Sequence, residues 1–140
     1  MSGFVDNRDF INFVSSAGDF NGDGHVDVAV ARLSGGYTVL LGDGAGGLTA
    51  SSSGTAVTPP SGIEVSDLDG DGKLDLLFAG PGTLAVAKGN GTGSFAAVVN
   101  FPVAGANRAG ASGDYNEDGH LDLLSVNGGN NFSMLLGDGN

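Results

Sequence analysis

The chain has 140 residues, of which 27 are glycine and none is cysteine, and its formal net charge is −11. That length allows one ordinary domain or one array of small repeats, and the absence of cysteine excludes disulfides and thiolate metal sites. The negative charge argues against nucleic acid and membrane partners, because such a surface repels phosphate backbones and anionic lipids.

Short apolar runs separated by glycine-rich turns predict β-strands along the whole chain. In chain order, the predicted strands lie at residues 13–16, 26–30, 37–41, 63–66, 74–78, 83–86, 95–99, 109–112, 121–124 and 132–136. Their apolar residues alternate or form short continuous runs, as in strands, and no segment has the 3.6-residue period of a helix. The predicted fold class is therefore all-β.

One nine-residue motif occurs three times between these strands, at residues 19–27, 67–75 and 114–122. Each copy has Asp or Asn at positions 1, 3, 5 and 9 and glycine at position 6, which is the ligand pattern of a calcium loop. The predicted side-chain ligands are Asp19, Asn21, Asp23 and Asp27; Asp67, Asp69, Asp71 and Asp75; and Asp114, Asn116, Asp118 and Asp122. Three calcium ions per chain are expected.

Position 7 of the motif is His25, Lys73 and His120 in the three copies. An ammonium group cannot bind calcium, so this position is predicted to contribute its backbone carbonyl oxygen. The loops are not EF-hands, because position 12 lacks the bidentate Glu of that motif and the flanking segments are β. The alternative is that they are plain acidic turns, but so many carboxylates would repel one another without a cation.

The motif recurs with a spacing of about 47 residues, and glycine-rich turns at 42–48, 89–95 and 137–140 recur with the same period. Four short strands in a unit of this length are typical of a β-propeller blade. The glycine-rich turns lack the Lys-Ser/Thr ending of a phosphate loop and fit hairpin turns. Residues 1–140 are therefore predicted to form a single domain of three four-stranded blades.

The strings at 18–30 and 39–44 resemble FG-GAP/VCBS-type repeats, which form the blades of integrin α-subunit propellers, of many secreted bacterial proteins and of a group of propeller lectins. The resemblance implies a propeller with calcium in the loop between the first two strands of each blade. It implies the ligands named above, with His25, Lys73 and His120 binding through their carbonyls, and an extracellular, lectin-like module. Glu117 departs from the pattern, because it replaces the glycine at position 4 of the third copy.

Three blades cannot close a ring, so oligomerisation is expected to complete the propeller. An exposed blade face with roughly 500 Å² of apolar area costs about 12 kcal/mol, which is comparable to the stability of a whole domain. Residues Ser2-Gly3-Phe4 match the end of a glycine-rich turn. A strand at about 4–10 is therefore expected to complete the last blade of a neighbouring chain. A homodimer with six blades is favoured, and a homotrimer with nine is the alternative.

The function expected from the sequence is a calcium-stabilised, non-enzymatic binding module that recognises glycan or protein ligands through its loops. The alternative is a structural or engineered fragment that assembles with itself and has no ligand of its own. A hydrolase is a third interpretation, but no Ser-His-Asp or Cys-His order is present and the carboxylates are committed to metal. An extracellular or secreted location is expected, with no targeting signal in the sequence.

Overall fold

The structure is a computed structural model that describes residues 13–128 and 130–139. These residues form nine β-strands, which confirms the all-β class. The strands are β1 (Phe13–Gly18), β2 (Asp27–Arg32), β3 (Tyr37–Gly42), β4 (Leu48–Gly54), β5 (Gly62–Ser66), β6 (Asp75–Ala87), β7 (Val99–Gly113), β8 (Asp122–Asn127) and β9 (Asn131–Leu135). No helix in the described part of the chain is long and apolar enough to cross a bilayer.

Neighbouring strands pair antiparallel, in the orders β1-β2-β3-β4 and β5-β6-β7-β8-β9. The 13-residue strand β6 folds back on itself. This is shown by a 2.8 Å hydrogen bond from Gly89 N, just beyond the end of the strand, to the side chain of Asp75 at its start. An extended strand of that length would separate its ends by about 43 Å. The reversal occurs near Gly82, whose φ of 69° favours glycine.

Strand β7 pairs with two different neighbours along its length. Residues 99–106 pair with the second arm of β6, whereas residues 109–113 pair with β8. The strands therefore form three antiparallel units. We call them the first sheet (β1–β4), the second sheet (β5, β6 and residues 99–106) and the third sheet (residues 109–113, β8 and β9).

The core lies between these sheets, and the second sheet contributes to both interfaces. Because side chains alternate along a strand, Leu76 and Phe78 face the first sheet while Leu77 and Ala79 face the third. The ring centroids of Tyr37 and Phe78 are 5.3 Å apart across the first interface. The order of sheets along the chain is therefore also their packing order.

Small residues in the first strand of each sheet allow neighbouring sheets to approach closely. A Cβ atom on Gly18 would lie 2.7 Å from Leu74 Cδ1, and one on Gly110 would lie 3.0 Å from Leu84 Cδ2. The first strands of the second and third sheets are also joined by hydrogen bonds, because Ser112 donates both its N–H and its hydroxyl to the Glu64 carboxylate.

Two details differ from the sequence predictions, and one prediction lies outside the described residues. The predicted strand at 95–99 is wrong in its start: the strand begins at Val99, because Phe95 packs into the interface 5.5 Å from Phe20. Strand β4 (Leu48–Gly54) is the second difference, because no bounds were predicted for a strand there. The described residues of one chain do not form a closed propeller. The N-terminal strand expected at about 4–10 lies outside the described residues.

Candidate metal centre

The three acidic loops connect the first two strands of each sheet and share one local structure. In each loop the backbone N–H at position 6 donates to the aspartate at position 1, over 2.8 Å from Gly24, 2.9 Å from Gly72 and 2.9 Å from Gly119. The N–H at position 7 likewise donates to the Oδ1 atom of the aspartate at position 5 in every copy. These short-range bonds turn the side-chain oxygens of each loop towards its interior.

The conformation at positions 4 and 6 explains why glycine recurs there. Gly24, Gly72 and Gly119 have φ angles of 85°, 83° and 90°, which side chains oppose. Glu117 adopts a φ of 61° at position 4, where the other two loops have glycine. A left-handed conformation costs a residue with a side chain about 1–2 kcal/mol, so the third loop is the most strained of the three.

The second loop brings three carboxylates together. Asp67, Asp69 and Asp71 each place an oxygen atom within 4.8 Å of the others, a spacing that a single metal ion can bridge. The Oδ1 atom of Asp67 is buried and has no hydrogen-bond partner. A buried carboxylate oxygen without a partner is unfavourable, and a bound cation would satisfy it. The residues present therefore fit a hard divalent cation.

Two lysines partly neutralise this cluster. Lys73 Nζ lies 2.6 Å from Asp71 Oδ2, and Lys88 Nζ lies 3.0 Å from Asp69 Oδ2. The hydrogen bond from Lys73 lowers the pKa of Asp71, and the bond to Asp69 raises the pKa of Lys88. Both lysine side chains are nearly half exposed, so they can move away from the carboxylates when a cation binds.

The first and third loops have an amide where the second has Asp69. Asn21 Nδ2 donates to Asp23 Oδ2, and Asn116 Nδ2 donates to Asp118 Oδ2, each over 2.8 Å. The bond from Asn21, followed by the backbone N–H of His25, lowers the pKa of Asp23. The backbone N–H of His120, followed by the bond from Asn116, lowers the pKa of Asp118. The amide oxygens remain hard ligands of the kind calcium prefers, but each of these loops has one carboxylate fewer than the second loop at the predicted ligand positions.

The aspartate at position 9 lies apart from the converging carboxylates. Asp27, Asp75 and Asp122 are at most 1% exposed, and both oxygens of each accept backbone N–H bonds. For Asp75 the donors are Leu68 N at 2.9 Å and Gly89 N at 2.8 Å; the other two copies are equivalent. Burial raises the pKa of Asp75. Sequence reasoning assigned this residue only to the metal and missed its role in joining the loop to the following hairpin.

The side chain at position 7 lies over the glycine-rich turn of its own sheet. A Cβ atom on Gly44 would lie 2.5 Å from His25 Nδ1, and one on Gly139 would lie 2.6 Å from His120 Nδ1. Lys73 covers Gly91 in the same way, with a distance of 3.1 Å to its Cδ atom. This arrangement places both imidazoles outside the loop interior. The only sequence signal for this contact is the similar spacing of position 7 and the glycine, which is 19, 18 and 19 residues in the three units.

The first glycine of each glycine-rich turn is required by a close backbone approach. A Cβ atom on Gly42, Gly89 or Gly137 would lie only 2.1–2.2 Å from the carbonyl oxygen at position 8 of the acidic loop. The same glycine N–H donates to the buried aspartate at position 9. Loop and turn are therefore one unit, built three times.

Comparison with protein families agrees with this repeated unit. The model of the FG-GAP-like repeat matches residues 19–78 and 67–125. The chain belongs to the FG-GAP-like repeat family. Both matches begin at an acidic loop and run past the next one, so they contain the loop-and-turn unit described above, and the FG-GAP repeat is a β-propeller-type module. No curated protein matches the chain.

Proposed function

We propose that this chain is a calcium-stabilised, non-enzymatic binding module built from FG-GAP blades. The observation that carries the proposal is the second loop, where three carboxylates converge and the buried Asp67 Oδ1 has no hydrogen-bond partner. Calcium binds six to eight hard oxygens, and this loop offers several of them at alternate positions. Bound calcium would neutralise the cluster and fix the loop.

Each of the three loops would hold one ion through the residues predicted from the sequence. Positions 1, 3 and 5 would supply side-chain oxygens, and position 7 would supply its backbone carbonyl oxygen. The aspartate at position 9 already accepts two backbone N–H bonds, so it would bind the ion through the lone pairs that remain on its carboxylate. Since the position 7 side chains lie over the glycine-rich turns, their carbonyls are the atoms left for the metal. The calcium would stabilise structure rather than take part in a reaction.

The ligand of the module would be a glycan or a protein bound through the exposed loops, in an extracellular setting. The acidic loops and the glycine-rich turns lie together, and most of their residues are exposed. A glycan array with and without EDTA tests this part. Sugar binding that EDTA abolishes supports a lectin-like module, whereas no binding to any sugar argues against glycans and favours a protein ligand or a purely structural role.

Native mass spectrometry in calcium and in EDTA tests the metal. We expect three calcium ions per chain. The variant Asp67→Asn should reduce the count by one, because it removes the charge from the unpartnered oxygen site, while Ser34→Asn, in an exposed turn away from the loops, should leave the count unchanged. A count of zero at saturating calcium would refute the proposal.

A further inference from the structure

The two interfaces inside the chain use the same repeat positions. In the first and second sheets, the forward face consists of the side chains that point to the following sheet. In the second and third sheets, the rear face consists of the side chains that point to the preceding sheet. The equivalent repeat positions define the forward face of the third sheet and the rear face of the first. The forward faces are Ala29, Ala31, Tyr37 and Val39; Leu77, Ala79, Leu84 and Val86; and Leu124, Val126, Phe132 and Met134. The rear faces are Val28, Val30, Thr38 and Leu40; Leu76, Phe78, Ala85 and Ala87; and Leu123, Ser125, Ser133 and Leu135.

Forward faces pack on rear faces twice within the chain. The forward face of the first sheet lies on the rear face of the second, and the forward face of the second lies on the rear face of the third, where Leu123 and Leu135 contact it. In the first interface Tyr37 is 3% exposed and Val39 is fully buried. Both interfaces within the chain are therefore formed by the same repeat positions. We call the forward face the forward half of this interface and the rear face its rear half.

The forward face of the third sheet is apolar and open to solvent. Phe132 is 67% exposed, Val126 46% and Met134 41%, whereas their first-sheet counterparts are buried. Tyr115, at position 2 of the third loop, is 44% exposed, while its counterpart Phe20 is 3% exposed inside the first interface. Contiguous apolar side chains of this kind mark a surface that a partner covers.

The rear side of the first sheet shows the matching pattern. Val26 is 68% exposed and Leu48 is 52% exposed. Their second-sheet counterparts, Leu74 and Phe95, pack against the core of the first interface. Within residues 13–128 and 130–139, the forward face of the third sheet and the rear face of the first sheet are therefore the two faces that no other sheet covers.

We propose that a second copy of this chain docks the rear face of its first sheet on the forward face of the third sheet. We infer that the partner on this face is a second copy of the chain, because the same repeat positions already form this interface twice within one chain. Leu48 of the second copy would lie against Tyr115 and Phe132, as Phe95 lies against Phe20 and Tyr37. Such a contact joins two different surfaces, so the copies associate head to tail and can close a ring.

A cavity between the second and third sheets supports the same assembly. It has a volume of about 150 Å³, and its apolar lining includes Leu68, Phe101, Leu123 and Leu135. The corresponding place in the first interface is filled by Phe95, which lies beside Gly89 as the cavity lies beside Gly137. In the proposed assembly an apolar side chain of the second copy would fill this cavity, as Phe95 fills the corresponding place in the first interface.

Sedimentation velocity and native mass spectrometry of the full chain test this inference, which does not depend on a ligand. We expect a mass that is a multiple of 13.7 kDa, with two or three chains per particle. Phe132→Asp damages the forward half and Leu48→Asp the rear half. Each variant should weaken association at least about 30-fold, as loss of an interface hot spot does. Ser34→Asp adds the same charge at an exposed turn and should associate like the wild type.

Mixing the two variants separates head-to-tail docking from other contacts. The Phe132→Asp chain keeps its rear half and the Leu48→Asp chain keeps its forward half, so an equimolar mixture should form a heterodimer although each variant alone is monomeric. Both substituted side chains are more than half exposed, so circular dichroism should show both variants folded. A monomeric wild type, a variant that self-associates as strongly as the wild type, or a mixture that associates no better than the single variants would each overturn the inference.

Discussion

The buried aspartate at position 9 can be tested without calcium, because its role in the fold rests on hydrogen bonds. In the second sheet, Asp75→Asn changes the carboxylate to an amide of nearly the same shape. The amide has one acceptor oxygen, so one of the two buried N–H groups, at Leu68 or Gly89, loses its partner. Leaving a buried donor unsatisfied costs about 1–3 kcal/mol.

Two further effects enter the free energy of unfolding. The remaining hydrogen bond loses its charge assistance, which removes about 1 kcal/mol. In the opposite direction, burial raises the pKa of Asp75, so replacing the charged group relieves part of its desolvation. The net expectation is a loss of about 2 kcal/mol, or a shift of about 1 M in the urea midpoint at an m value of about 2 kcal/mol/M.

Urea unfolding in EDTA, followed by circular dichroism, measures this loss. Asp71→Asn is the matched control, because it makes the same chemical change in the same loop at an exposed position. Its ion pair with Lys73 is at the surface and contributes at most about 1 kcal/mol. If Asp75→Asn lost no more stability than Asp71→Asn in EDTA, the assigned role of the buried hydrogen bonds would be wrong. Repeating the urea unfolding of both variants in calcium then measures how much the metal contributes to the free energy of unfolding of each.

Three further outcomes are expected. Gly89→Ala should destabilise the chain by about 3 kcal/mol, because the new Cβ would lie 2.1 Å from Leu74 O. Gly62→Ala, where the Cβ meets nothing within 4 Å, should change stability by less than about 0.5 kcal/mol; equal losses in urea unfolding would contradict this. His25→Lys should leave the calcium count unchanged, since Lys73 holds the same position; mass spectrometry showing one ion fewer would assign the imidazole to the metal. Calcium at 100 times its dissociation constant should stabilise the fold by about 2.7 kcal/mol per site, and melting curves that coincide in calcium and in EDTA would argue against calcium stabilisation.

The local features of this protein could be read from the sequence because they depend on short-range chemistry. Asp, Asn and glycine at fixed positions specify the loop turns, and the bonds within the loops at Asp19, Asp67 and Asp114 all span five residues or fewer. The repeat period follows from the same motif. Most strands were predicted to within a few residues for the same reason. The exceptions are β4, for which no bounds were predicted, and the start of β7, because Phe95 packs in an interface instead of beginning that strand.

The sequence by itself therefore determined the all-β class, the three repeated units, the family and the residues of the acidic loops. Only the tertiary structure decided which oxygens are engaged. In the structure, the buried aspartates at position 9 accept hydrogen bonds from the glycine-rich turns. Lys88 forms an ion pair with Asp69, and Asp67 Oδ1 has no hydrogen-bond partner. The tertiary structure also separated the forward faces that are covered from the one that is exposed. These outcomes depend on groups brought together from distant parts of the chain, and a local pattern carries no information about such contacts.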